Sequence, residues 1–163
     1  MTTKIITISR EFGSGGRFIG EMLAKELGFS FYDKELIARV AEKTGFSEKF
    51  IENRREYALK NSIFSYSFVG RCADFILKAR EDVLNIFIHS NETEKCKRIM
   101  DLYQKNKKEA LTLMKDTDKK RSINYAYYTD QTWGESRNYA LCLNSGILGY
   151  DKCIKIIKEA FYE

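Results

Sequence analysis

The chain has 163 residues, 44% of them hydrophobic and 13% aromatic, enough apolar matter for one folded core and too much for a disordered chain. No apolar run approaches the roughly 20 residues that cross a bilayer, and Lys4 leads straight into a β-branched run, so a cytoplasmic protein with no membrane partner is expected. The net charge of +5 suits anionic ligands such as nucleotides, as would any set of lysines on solvated helix faces. Cys72, Cys96, Cys142 and Cys153 show no C-x-x-C spacing, and the one histidine, His89, has no second ligand pair nearby. Reduced, buried thiols and no metal site of the protein's own are therefore expected.

In chain order, residues 3–9 read as a buried strand and residues 16–28 as a helix with Ile19, Leu23 and Leu27 on one face, closed by Gly28. Phe29 to Tyr32 forms a second short strand. Asp33 can cap a helix through Leu36, Ile37, Val40 and Ala41, and Ser47 starts another through Phe50, Ile51 and Tyr57. The alternation of Phe64, Tyr66 and Phe68 suits a strand within residues 60–70, with a short helix from Arg71 to Lys78 after it. Val83 to Ile88 is a strand, and Asn91 or Thr93 starts a helix through Cys96, Ile99 and Leu102. A charged helical region runs from Lys107 to about Tyr128. A loop from Thr129 to Gly134, a last strand from Tyr139 to Asn144 and a closing helix after Gly149 complete the chain. Strands alternating with helices predict an α/β fold: a three-layer parallel sheet with helices on both faces, its ligands at the carboxyl ends of the strands.

The first strand-to-helix junction carries the chemistry. Glu11-Phe12-Gly13-Ser14-Gly15-Gly16-Arg17-Phe18 joins a strand to a helix through glycines. Such a loop turns backbone N–H groups toward an anion, and the helix dipole adds to them. The pattern G-x-x-x-x-G-K-[ST] is not met: Glu11 replaces the first glycine, Arg17 the lysine and Phe18 the hydroxyl residue. Its bland counterpart is a glycine-rich turn that binds nothing, with Arg10 paired to Glu11 on the surface.

Residues Ile6 to Arg17, then Phe31-Tyr32-Asp33-Lys34-Glu35-Leu36-Ile37, Val69-Gly70-Arg71-Cys72-Ala73-Asp74, Tyr127-Tyr128-Thr129 with Trp133-Gly134, and Leu143-Asn144-Ser145 resemble the cytidylate kinase-like family. These are bacterial proteins on the P-loop nucleoside-monophosphate kinase fold, and the resemblance spans nearly the whole chain. It implies that Gly13, Ser14, Gly15, Gly16, Arg17 and Phe18 hold the triphosphate of an ATP donor. It implies that Asp33, Arg39, Arg71 and Asp74 lie on the acceptor side. Asp118 and Arg121 resemble the Asp-x-x-Arg of a helical lid, here about residues 105–135, which makes Arg17, Arg71, Asp118 and Arg121 the candidate catalytic set. Residues of about 44–68 read as a shortened acceptor-side segment within a single domain of 1–163.

The resulting expectation is an ATP-dependent nucleoside-monophosphate kinase, with CMP or dCMP preferred by resemblance and Mg2+ accompanying the nucleotide. With no hydroxyl at Phe18, Ser14, Asp33 or Asp74 would have to reach the ion. A non-catalytic nucleotide- or phosphate-binding regulatory protein of the same fold is the alternative. Cations and acids are interspersed in the Tyr-rich stretch 119–128, which argues against a nucleic-acid partner.

Overall fold

The computed structural model describes residues 5–33, 66–69 and 72–162. The elements are β1 (Ile5–Arg10), α1 (Gly16–Leu27), β2 (Ser30–Tyr32), β3 (Tyr66–Val69), α2 (Ala73–Ile76), β4 (Val83–His89), α3 (Glu92–Tyr103) and α4 (Lys107–Thr129). A 3-10 turn at Ser136–Asn138, β5 (Leu141–Asn144), α5 (Ser145–Leu148) and α6 (Tyr150–Tyr162) follow. The helices expected over 33–41 and from Ser47 to Tyr57 lie outside the described residues, as do Arg39, Gly70 and Arg71 and most of the segment read as shortened.

The described strands form one parallel sheet in the order β2-β3-β1-β4-β5. β1 is central, so both its edges are hydrogen-bonded and all its residues from Ile5 to Ser9 are buried. That is why it reads as an unbroken β-branched run. Alternation assigns its two faces. Ile6 and Ile8 join Ile86, Ile88 and Leu143 beneath Ile19 and Leu23 of α1 and Cys153, Ile154 and Ile157 of α6. Each of these fully buried side chains contributes about 1.5–3 kcal/mol. Ile5 faces the other way, against Ala73 and Leu77. On that same face Thr7 donates to Asn85 Oδ1 (2.6 Å), a pairing set by the register Thr7↔Asn85.

Three local outcomes differ from the sequence reading. The last strand starts at Leu141 rather than Tyr139, because Tyr139 closes the 3-10 turn by donating its N–H to the Ser136 carbonyl. Asn144, read as the end of the last strand, also caps α5, which follows at Ser145 without a loop: Asn144 Oδ1 accepts from the N–H groups of Gly146 and Ile147. Cys142 is exposed rather than buried, while Cys96 and Cys153 are buried. The charged region after Lys107 is one helix of 23 residues, started by a capping box between Asn106 and Glu109. Only Ala110, Met114, Tyr125 and Thr129 of it are buried, so its sequence shows no continuous apolar stripe.

Candidate functional site

The carboxyl ends of β1, β2, β4 and β5 converge on the glycine loop. Gly13 and Gly15 hold φ of 81° and 79°, a region closed to most side chains. Space is as restrictive as conformation. A Cβ on Gly13 would lie 2.8 Å from the Lys95 carbonyl, and one on Gly15 would lie 2.6 Å from the Tyr150 ring. The loop is therefore clamped between α3 and α6. Ser14 N–H donates to the Glu11 carbonyl (3.3 Å), and Glu11 N–H to the Ile88 carbonyl (3.0 Å). The N–H groups of Gly13 and Gly15 make no hydrogen bond among the described residues. A curled loop with unspent donors at the start of a 12-residue helix has the geometry that can receive an anion.

Charged side chains surround it. Arg17 Nε donates to Asp33 Oδ2 (2.5 Å), and Asp33 is only 4% exposed. Asp33 is thus more than the helix cap it could have been. Lys95 Nζ lies 2.9 Å from Glu11 Oε2 and 3.4 Å from Asp118 Oδ2. The surface pair between Arg10 and Glu11 does not form. Glu11 turns instead to Lys95 and accepts from the Ser90 N–H (3.2 Å). Asp118 Oδ1 accepts from the Phe12 N–H (2.7 Å), and Arg121 Nη1 donates to the Arg10 carbonyl (3.0 Å) while its guanidinium lies over the Phe12 ring. Both residues of the Asp-x-x-Arg therefore fasten α4 to the loop's first residues.

Burial shifts these groups against their charged forms. It raises Asp118 despite the Phe12 N–H and Lys95, and lowers Arg121. Burial, and next the like charge of Arg121, push Arg10 down to about 9, still charged at neutral pH. A site that holds cations under this pressure is electrostatically prepared for an anion.

The hydroxyl of Ser14 is not free for a metal. It is 1% exposed and donates to the Glu11 carbonyl (2.8 Å). Phe18, 40% exposed, packs its ring 5.6 Å from that of Tyr150. Asp74 sits apart from the loop, buried, and accepts from Tyr125 Oη (2.7 Å). Burial raises its pKa, and Oδ1 has no hydrogen-bond partner among the described residues. Tyr125 thus packs α4 against Asp74, whereas Tyr127 and Tyr128 are exposed. Trp133 anchors its loop edge-on against Phe87 (5.4 Å).

On the far side of the loop a cavity of about 430 Å³ opens between α3 and the α5–α6 turn, lined by Gly13, Ser90, Arg98, Ser145, Gly146 and Tyr150 among others. Arg98 Nη1 donates to Tyr150 Oη (2.8 Å) and its guanidinium lies 5.0 Å from the Tyr150 ring centre. Ser145 Oγ donates to the Ser14 carbonyl (2.6 Å), tying the cavity wall to the loop. Sequence reasoning missed Lys95, Arg98 and Tyr150, and quoted Ser145 only within a motif, with no role of its own. Asn144-Ser145-Gly146 was a helix-start signal, but a lysine and an arginine in the run Glu94-Lys95-Cys96-Lys97-Arg98 carry no mark of which one turns inward.

A family model for the cytidylate kinase-like family matches residues 5–68 and 64–147. The chain belongs to that family. Among solved structures, an uncharacterized protein from Eubacterium ventriosum ATCC 27560 is 32% identical, with a TM-score of 0.88 and 98% of each chain covered. Shikimate kinase from Bacteroides thetaiotaomicron is similar at 13% identity, TM-score 0.58 and 98% coverage of each chain. Shikimate kinase from Acinetobacter baumannii, in complex with shikimate, is similar at 13% identity and TM-score 0.56, covering 99% of this chain and 94% of that one. The shikimate kinases show the fold alone. No curated protein matches the sequence. Family and fold together give a P-loop kinase-like protein with a nucleotide kinase-like role. No described helix is long and apolar enough to cross a membrane.

Proposed function

We propose that this protein transfers the γ-phosphoryl group of ATP to a nucleoside monophosphate, with CMP or dCMP the acceptor by family resemblance. The observation that carries this is the cradle itself: unspent Gly13 and Gly15 N–H groups at the start of α1, ringed by Arg10, Arg17 and Arg121. Phosphoryl transfer needs little else from a protein, since alignment and charge stabilisation supply most of the rate. The acceptor's phosphate oxygen is already an anionic nucleophile, so no base is required. Arg17 reaches the donor by exchanging Asp33 for a phosphate. Arg71 stands on the acceptor side by resemblance, with Arg39, Asp33 and Asp74. The cavity beside Arg98 and Tyr150 takes the donor's base, with the guanidinium and the phenol offering flat faces to stack on.

Mg2+ accompanying the nucleotide would supply positive charge against the charge that develops on the phosphates. Asp33, buried beside the loop and bonded to Arg17, is the carboxylate that would hold such an ion, directly or through water. α4, fastened to the loop by Asp118 and Arg121, serves as the arm of the lid segment, about residues 105–135, and the whole chain acts as one domain.

A coupled assay over a panel of nucleotide acceptors tests this reading, with Arg17→Ala and Arg71→Ala as controls. No turnover with any acceptor by a folded protein overturns it. The Arg17–Asp33 pair and the buried Ser14 hydroxyl favour one second reading, a nucleotide-binding regulatory protein, which calorimetry would show as binding without turnover.

A further inference from the structure

Four described cations stand at the mouth of the loop, and three are committed. Arg17, at the place of the P-loop lysine, bonds Asp33. Lys95 is shared between Glu11 and Asp118. Arg121 donates to the Arg10 carbonyl and lies over Phe12. Arg10 differs. Its guanidinium has no hydrogen bond or ion pair among the described residues, although the side chain is half-buried. A cation withdrawn from water without a partner is costly, and folded proteins rarely keep one idle.

Its position says what it is kept for. Arg10 ends β1 in register with Ile88 and leads directly into the loop. Its stem lies against Gly16, where an added Cβ would meet Arg10 Cβ at 2.5 Å and Cγ at 2.9 Å. Gly16 is the first residue of α1, the end that faces the donor's phosphates. The charges that act on the guanidinium are Arg121, Asp33, Asp118 and Arg17. Asp33 and Asp118 are each bonded to another cation, so they offset the positive charge of Arg10 and Arg121 only in part.

We propose that Arg10 is the residue that grips the γ-phosphoryl group of the donor, doing from the strand end what the loop's absent lysine would do. This rests on the kinase reading above. In the transfer, an acceptor phosphate oxygen forms a bond to the γ-phosphorus as the bond to the β–γ bridging oxygen breaks, and that oxygen leaves on the diphosphate. Arg10 moves no proton. It neutralises the three outer oxygens through the step.

The test is calorimetric titration of the whole chain with ATP and with ADP, in wild type, Arg10→Met and Arg10→Lys. Methionine keeps the stem that packs on Gly16 and removes the charge. The expected result is a loss of about 10- to 100-fold in ATP affinity for Arg10→Met, the range for one charge-assisted hydrogen bond, with ADP affinity unchanged. Arg10→Lys should recover part of the ATP preference. Unchanged binding of both nucleotides overturns the assignment. So does an equal loss of both, which makes Arg10 a support of the cradle. A normal ATP preference with a raised acceptor KM also overturns it, by moving Arg10 to the acceptor side. Each of those outcomes leaves the kinase reading standing. Wild-type protein that binds neither nucleotide overturns the kinase reading and the assignment together.

Discussion

Replacing Lys95 with methionine tests whether the loop is held by charge. The ammonium lies 2.9 Å from Glu11 Oε2 and 3.4 Å from Asp118 Oδ2, with its side chain only 10% exposed. Removing it leaves two carboxylates facing each other at the loop's entrance. Breaking a buried pair costs about 3–5 kcal/mol. Glu11 is 27% exposed and Asp118 19%, so water recovers part of that, and about 2–3 kcal/mol is expected near pH 8. At this chain length that corresponds to a fall of roughly 5–10 °C in Tm.

The pH dependence separates charge from packing. Asp118 already sits above 3.8 in the fold because burial raises it, and Lys95 works against that shift. Without Lys95 it rises further. Between the unfolded and folded values the native state binds more protons than the unfolded chain, so stability falls as pH rises through that window. The deficit of Lys95→Met should therefore be small near pH 4 and full near pH 8. Urea unfolding at both pH values measures it. An equal deficit at both, or one under about 0.5 kcal/mol at pH 8, would refute the ion-network account. Asp118→Asn added to Lys95→Met should recover part of the loss, since it removes the repulsion and keeps an acceptor for the Phe12 N–H.

Gly15→Ala should abolish nucleotide binding and lower stability by about 1–3 kcal/mol, because it combines φ of 79° with a Cβ 2.6 Å from the Tyr150 ring. A melting curve and an ATP titration check it, and a variant that binds ATP normally would contradict the clamp. Asp74→Asn should gain on wild type as pH rises above 3.8, because burial raises this carboxyl and its ionisation costs the native state stability. Urea midpoints across pH should diverge, and parallel profiles would show that Asp74 is not under that pressure. If the cavity takes the donor's base as proposed, Arg98→Ala should raise the KM for ATP about tenfold and leave the acceptor KM alone, since it removes one stacking face from that cavity. A rise confined to the acceptor would place the base elsewhere.

Local rules account for what could be read in advance. The run Ile5 to Ile8 followed by glycines can only be a buried strand that breaks into a turn, and Gly28 ends α1 in the left-handed conformation by donating to the Ala24 carbonyl. Strand and helix alternation then leaves a parallel sheet as the arrangement that buries both patterns. The sequence by itself determined those elements, their order and the loop at the sheet's carboxyl edge, because periodicity and glycine chemistry act within a few residues.

Partners across 79 to 111 positions were decided only in the folded chain. Glu11 could not announce that it would meet Lys95 and the Ser90 N–H instead of its neighbour Arg10. Nor could Asp118 and Arg121, in a charged run that also suits a solvated face, show that they would reach Phe12 and Arg10. Any acid can pair with any base along a chain. Which of them meet depends on the packing of α3 and α4 against the end of β1, and that packing left the Arg10 guanidinium without a partner among the described residues.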